Sequence, residues 1–225
     1  SEMCIRDRFE IDGHAVALKN GTGIESILGI NDEVIVQDKS SQQVLDFLCT
    51  NDLPAFQEKP VAVWDVCAAS GGKSILLHDL LNKKIKLTVS DSRKSILVNL
   101  RQRLSEAGIP LYHIFQQDLT VASGLKSTDL FSIILCDVPC SGSGTWARTP
   151  EQHVGCKENE VFAFAETQTK IVANAWSHLA PGGLLFYITC SVFYTENEAV
   201  CEALQKTTSL KLLQQGYVTA VSYTH

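Results

Sequence analysis

No apolar run in the chain approaches the roughly 18 consecutive residues that a membrane-spanning helix needs, and no secretory pattern opens it. CxxC pairs are missing too. The eight cysteines (Cys4, Cys49, Cys67, Cys136, Cys140, Cys156, Cys190 and Cys201) are scattered, which argues against a zinc ribbon and a secreted disulfide framework. Most of them read as small buried apolar groups in a reducing compartment, with one or two reactive. A basic excess is also lacking: 19 Lys and Arg face 25 Asp and Glu, for a net charge of −6. Proteins that hold nucleic acid through bulk charge are usually basic, so a non-specific binder is disfavoured, while a local basic groove is not. Neither internal repeats nor low-complexity linkers occur. The expectation is a cytoplasmic protein with no membrane partner and no metal.

What is present is an ordinary globular composition, 45% hydrophobic and 20% charged over 225 residues. That length suffices for one substantial α/β domain with a small N-terminal appendage. From Val61 onward, strand-like runs (Val61–Val66, Lys86–Ser90, Leu111–Gln116, Phe131–Cys136, Leu184–Thr189) alternate with helical stretches (Lys73–Leu81, Arg93–Ala107, Asn159–Leu179, Glu196–Lys206). Gly108–Ile109–Pro110 and Pro181–Gly182–Gly183 read as helix stops. The alternation implies a mainly parallel sheet with helices on both faces, and ligands at the carboxyl ends of its strands. Upstream, Asp32–Gln37 reads as a strand and Ser41–Cys49 as a helix. The expected division is a lead-in over 1–60 packed on the sheet, a catalytic-type domain over 61–215 and a tail over 216–225. SEMCIRDR and VSYTH, at the two ends, fit no element and resemble translated adapter sequence, so they are set aside from the fold reading.

The loop after the first of these strands, in VWDVCAASGGKS, ends like a phosphate-binding P-loop. That motif requires a glycine where Cys67 stands, and a Cβ there is poorly tolerated. The dinucleotide fingerprint G-x-G-x-x-G fails on spacing. What remains is a small-residue turn (Ala68, Ala69, Ser70, Gly71, Gly72) at a helix N-terminus, which is either a tight turn or a ligand loop. Asp91 closes the next strand about 20 residues on, where a carboxylate accepts from ribose hydroxyls. Asp118 closes the third and can meet the polar edge of an adenine. Together they outline a nucleoside site without naming its ligand.

DVPCSGSGT (Asp137–Thr145) follows the fourth strand and TCS (Thr189–Ser191) the fifth. Two cysteines and an aspartate thus converge on the edge that carries the loop, which suits nucleophilic catalysis by a thiolate. The chemistry that fits is methylation at C5 of a pyrimidine. That carbon becomes nucleophilic only after a thiolate adds to C6, and a base must then take the C5 proton. Spacing alone does not tell which cysteine attacks.

VIVQDKSSQQV, DVCAASGGKS, DVPCSGSGT with WARTPE, and YITCS with VFYTENE together resemble the RsmB/Sun/Nop-type RNA 5-methylcytosine methyltransferases. The resemblance covers most of the chain, and the PC and TC motifs in this order are highly specific. It implies a Rossmann-like class I fold and S-adenosylmethionine bound by Cys67, Ala68, Ala69, Ser70, Gly71, Gly72, Lys73, Asp91, Asp118 and Asp137. It implies catalysis by Cys190 on C6, with Cys140 assisting release and Asp137 beside them. The implied partner is RNA, ribosomal RNA above all, acted on by a monomer. DNA cytosine methyltransferases attack instead with the PC cysteine, so the TC motif favours RNA.

The sequence departs from the family in places. Ser70 replaces the proline of AAPGGKT, and EQHVGCKENE is neither basic nor aromatic where the family often is both. The terminal antiparallel hairpin has no counterpart, and RNA-recognition domains would have to lie outside these residues. Arg148 suits either an RNA phosphate or a surface ion pair. Trp146 reads as a core or lid aromatic sooner than a base-stacking one, and His153 has no evident partner. Two alternatives are a P-loop-like nucleotide hydrolase and a non-catalytic RNA-binding assembly factor with a methyltransferase shell.

Overall fold

A computed structural model describes residues 9–12, 15–18, 23–26, 28–46, 48, 60–121, 124–147, 155 and 157–218. The chain falls into two compact units, Ser1–Val36 and Gln37–His225. In the first, β1 (Phe9–Asp12) and β2 (Ala15–Leu18) pair antiparallel, with Phe9 opposite Leu18 and Asp12 opposite Ala15. The expected strand over Asp32–Gln37 is not formed. Asn31 takes a left-handed conformation (φ 69°) and its N–H bonds Val34 O at 2.8 Å, so the segment closes into a turn with a single bridge from Ile30 to Val34.

The second unit opens with a short helix, α1 (Lys39–Gln43). That helix begins earlier and is shorter than the Ser41–Cys49 expectation, whose last residue lies outside the described residues. Strands and helices then alternate: β3 (Val61–Asp65), α2 (Gly72–Leu80), β4 (Ile85–Asp91), α3 (Lys94–Glu106), β5 (Leu111–Gln116), β6 (Phe131–Asp137), α4 (Glu158–Trp176), β7 (Leu179–Ile188) and α5 (Glu198–Thr207). The five strands β3 to β7 form one sheet in the order β5-β4-β3-β6-β7, every pair parallel. This is a Rossmann-like arrangement. The chain works outward from β3 to β5 and then returns to β6, so the strand order reverses between β3 and β6. Open α/β sheets bind their ligands at that switch point.

Both faces of the central strands are buried, which explains their nearly continuous apolar sequences. Side chains alternate between faces. Trp64, Val66, Ile134 and Cys136 pack with Ile171, Val172 and Ala175 of α4 and with Val200 and Leu204 of α5. Trp64 is fully buried against Phe131 and the edge of His178. Its indole N–H bonds the Ser90 hydroxyl at 3.0 Å, so the polar atom is not orphaned. At the start of α4, the Glu160 carboxylate accepts the Lys157 N–H at 3.2 Å, and Glu158 and Glu160 complement the helix dipole.

Pro181–Gly182–Gly183, expected as a helix stop, lies inside β7. There Phe131 pairs with Leu179 but Ile133 with Leu184, so the strand bulges. Gly182 has φ 75°, and a Cβ on Gly183 would stand 2.9 Å from both Ala180 O and Ser132 O. The glycines therefore allow the bulge rather than end a helix. Among the described residues no helix is long and apolar enough to cross a membrane.

Candidate active site

The turn from β3 into α2 is fixed from several sides. Ala68 N–H bonds Ser90 O at 3.0 Å and Gly71 N–H bonds Ala68 O at 2.7 Å. Ala69 N–H bonds Asp91 Oδ2 at 3.1 Å, and Arg103 donates to Ser70 O at 3.1 Å. These bonds hold the turn with serine in the place of the family's proline. Gly71 is left-handed (φ 81°), and a Cβ on it would meet Leu100 Cδ1 at 2.5 Å; one on Gly72 would meet Gln37 Nε2 at 2.6 Å. Both glycines thus also serve close packing against the protein itself. Ala68 is buried, Cys67 half-buried and Ser70 exposed.

Acidic groups gather around this turn. Asp65, fully buried, accepts the Ser74 hydroxyl at 2.7 Å on Oδ2, while its Oδ1 has no hydrogen-bond partner. Burial pushes its carboxyl up to about 7 against the lowering effect of Ser74. Asp91 behaves oppositely. Burial raises it, but the Arg93 side chain and backbone N–H, with Ala69 N–H, hold it below the usual carboxylate range. Arg93 therefore sits on the carboxylate expected to meet a ribose. Lys73 Nζ lies 2.5 Å from Asp137 Oδ2. Burial, with Asp65, Asp91 and Asp137, pushes the Cys67 thiol upward, so these residues share one electrostatic site. Asp118 is exposed and accepts both the N–H and the hydroxyl of Thr120 in a local turn.

The two motif cysteines meet. Cys140 Sγ and Cys190 Sγ are 3.0 Å apart, and Cys190 N–H points at Cys140 Sγ from 3.3 Å. Cys190 is exposed, Cys140 half-buried, and both are free thiols. The hydrogen bond from Cys140 draws the Cys190 thiol below its ordinary value of 9.0, to about 7, against burial and the Asp137 charge and with help from Lys73. The same bond, with burial, drives Cys140 upward. The two sulfurs share one hydrogen bond that either can donate, and the opposite directions of their shifts favour Cys190 as the one that gives up its proton.

Further contacts join the two cysteine loops. Gly144 N–H bonds Cys190 O at 2.8 Å, and Val192 N–H bonds the Ser143 hydroxyl oxygen at 2.9 Å. Trp146 meets Phe193 edge-on at 5.6 Å, which agrees with its reading as a lid or core aromatic. Sequence reasoning missed Asp65, Arg93 and the buried Glu196. An acid in the last place of a buried strand was the available signal for Asp65. Arg148 and His153 lie outside the described residues, so the expected phosphate contact has no structural account.

The donor set tests which ligand fits. Three carboxylates, one with a buried unpartnered oxygen, surround a turn whose lysine is already paired. Such a site suits a cationic ligand rich in hydroxyls and amines, and it opposes a triphosphate.

The chain is similar to known proteins in sequence and in fold. The model of the 16S rRNA methyltransferase RsmB/F family matches residues 54–224. The probable ribosomal RNA small subunit methyltransferase B of Bacillus subtilis (strain 168) is 32% identical over 197 residues, 88% of this chain and 42% of that protein. Ribosomal RNA small subunit methyltransferase F of Serratia proteamaculans (strain 568) is 30% identical over 199 residues, 88% of this chain and 40% of that protein. The chain therefore spans about two-fifths of the length of the curated relatives it matches. A methyltransferase homolog from Pyrococcus horikoshii superposes with a TM-score of 0.71 at 23% identity, over 96% of this chain and 68% of that one. NSun6 from Pyrococcus horikoshii, solved with SFG, gives 0.64 at 24% identity, over 76% and 41%. On the family match over most of its length, the chain belongs to the RsmB/F family of 16S rRNA methyltransferases.

Proposed function

We propose that this chain carries the catalytic centre of an S-adenosylmethionine-dependent RNA cytosine-C5 methyltransferase acting on ribosomal RNA. The observation that carries the proposal is the Cys140–Cys190 pair, 3.0 Å between sulfurs, at the strand edge that also holds the acidic turn. The turn Cys67–Lys73 with Asp65, Asp91 and Asp137 would hold S-adenosylmethionine, which would supply an electrophilic methyl group and be left as its neutral thioether; the carboxylates suit its sulfonium and amino group.

Cys190 is the nucleophile. Its sulfur is the exposed one and the one drawn toward the thiolate at neutral pH. Addition to C6 of cytosine forms an S–C6 bond and moves the ring electrons toward C5, which then takes the methyl group. Asp137, whose charge acts on Cys190 and whose Oδ2 is paired with Lys73, can orient the ring by accepting a hydrogen bond from its N4 amino group. Cys140, the neutral partner, is placed next to the bond that must finally break. Once the C5 proton has gone to a base, the Cys190 thiolate leaves, and Cys140 stabilises it through the hydrogen bond the two sulfurs share. The target base must be unpaired or flipped out to reach the sulfur.

Lys73 and three carboxylates oppose the nucleotide-hydrolase alternative, because the cation a triphosphate would need is paired to Asp137. The test is methyl transfer from labelled cofactor to small-subunit RNA, with the product nucleoside identified. Label in 5-methylcytidine, lost in Cys190→Ala, supports the reading. An inert but RNA-binding chain would instead support the assembly-factor alternative.

A further inference from the structure

We propose that Glu196 is the positioning residue of the cysteine pair: its carboxylate ties the loop of Cys140 to the loop of Cys190 and thereby sets the contact between the sulfurs. The inference rests on the reading of that pair as a nucleophile and its releasing partner.

Glu196 lies in the 3₁₀ turn Tyr194–Glu196 after β7 and is wholly buried. Its partners are hydroxyls and amides. Ser141 N–H and Gln168 Nε2 donate to Oε1 at 2.8 and 3.0 Å. The Ser141 and Ser191 hydroxyls donate to Oε2 at 2.5 and 2.6 Å. An ionised carboxylate offers about four acceptor positions, and here four donors fill them. A buried charge is tolerated when it is hydrogen-bonded in this way.

The position of these donors gives the set its meaning. Ser141 follows Cys140 directly and Ser191 follows Cys190, so one carboxylate grips the neighbour of each sulfur. Gln168 of α4 also donates to Pro139 O at 3.0 Å, which holds the residue before Cys140. The Tyr187 hydroxyl divides its proton between Glu196 O and Gln168 Oε1, at 2.5 and 2.9 Å. Ser143 and Ser191 hydroxyls meet at 3.1 Å, and Phe193 N–H bonds the Ser191 oxygen at 3.1 Å. Every donor direction in this network is consistent with Glu196 as acceptor. A glutamine here keeps one acceptor oxygen, and its NH₂ is met only if the Ser141 and Ser191 hydroxyls, whose oxygens already accept Ser143 N–H and Phe193 N–H, turn round, which loosens the hold on the two cysteine loops.

The test measures Cys190 alone, without RNA or cofactor. The full chain is alkylated with iodoacetamide across a pH series, and the modified Cys190 peptide is quantified by mass spectrometry for wild type, Glu196→Gln and Ser141→Ala. The charged or titratable groups facing Cys190 are Cys140, Asp137 and Lys73, and none is changed. In Glu196→Gln, folded by circular dichroism, the Cys190 rate at about pH 6 is expected to fall about tenfold, because only the thiolate reacts. A wild-type profile in folded Glu196→Gln overturns the proposal. Should that variant not fold, Ser141→Ala, which keeps the Ser141 N–H bond, decides in the same way. Cys190→Ala with full methyl transfer would refute the nucleophile reading separately, since the alkylation profile answers only whether Glu196 sets the pair.

Discussion

Lys73 Nζ stands 2.5 Å from Asp137 Oδ2, joining side chains 64 residues apart in sequence. The turn that follows β3 and the PC loop that follows β6 are thereby held together across the point where the strand order reverses. Both side chains are partly shielded, at 17% and 31% exposure. The pair is worth more than a surface ion pair and less than a buried one. Under the proposed function, its place between the turn after β3 and the cysteines gives it a larger role in chemistry than in stability.

Lys73→Met is accordingly expected to lower methyl transfer more than tenfold while costing roughly 1–2 kcal/mol of stability in urea. The variant leaves Asp137 facing the Asp65 charge without its cation. Wild-type turnover and cofactor affinity in Lys73→Met would remove the ion pair from the mechanism.

Asp65 makes stability depend on pH in a direction opposite to most carboxylates. Burial raises its folded-state value from the ordinary 3.8 to about 7. The favourable contribution is present below the unfolded value and is lost as pH rises through about 7, because the unfolded chain ionises Asp65 more readily. Asp65→Asn keeps an acceptor for Ser74 and carries no charge. Relative to wild type it is expected to gain roughly 2–4 kcal/mol between about pH 4 and pH 8. Urea unfolding at the two pH values checks this, and a constant difference would contradict it.

Gly144 packs against the other cysteine loop so closely that a Cβ would lie 2.8 Å from Cys190 O. That atom is backbone and cannot swing aside. Gly144→Ala is expected to displace Cys190 from Cys140 and to lower methyl transfer by about a hundredfold, for about 1–3 kcal/mol of destabilisation. Measured turnover within twofold of wild type would show that the sulfur contact tolerates the shift.

The reactivity of Cys190 should rise with pH through about 7, well before an ordinary thiol at 9.0. Cys140→Ala removes the hydrogen bond that causes this and is expected to move the midpoint upward, toward 9.0. Iodoacetamide profiles of the two proteins provide the comparison. An unmoved midpoint would assign the lowering to Lys73 instead.

Much of this arrangement could be read from the sequence, for identifiable reasons. Strands β3 to β6 are apolar runs closed by acids or turn residues, so their extents and their shared carboxyl edge followed from periodicity. Cys140 and Cys190 fell at strand ends and duly meet. The bulge in β7 was misread because Pro–Gly–Gly stops a helix and kinks a strand with the same residues. The β1–β2 hairpin was passed over although Asp12–Gly13 is a turn signal between apolar residues. Glu196 was not singled out in TENE, since nothing local distinguishes the wholly buried acid from the half-buried Glu198 beside it. Its burial follows from Ser191 in its own loop together with Ser141 and Gln168, which lie 55 and 28 residues away. The Arg93 clamp on Asp91 is likewise a matter of rotamer, not of pattern.

The most direct measurement traps the reaction on RNA containing 5-fluorocytidine, whose C5 fluorine cannot leave as a proton, in the presence of S-adenosylmethionine. Digestion and mass spectrometry then locate the nucleotide on the protein. A nucleotide attached to the Cys190 peptide in wild type and Cys140→Ala, and absent from Cys190→Ala, is the expected result. Attachment at Cys140, or methyl transfer that survives in Cys190→Ala, would contradict it.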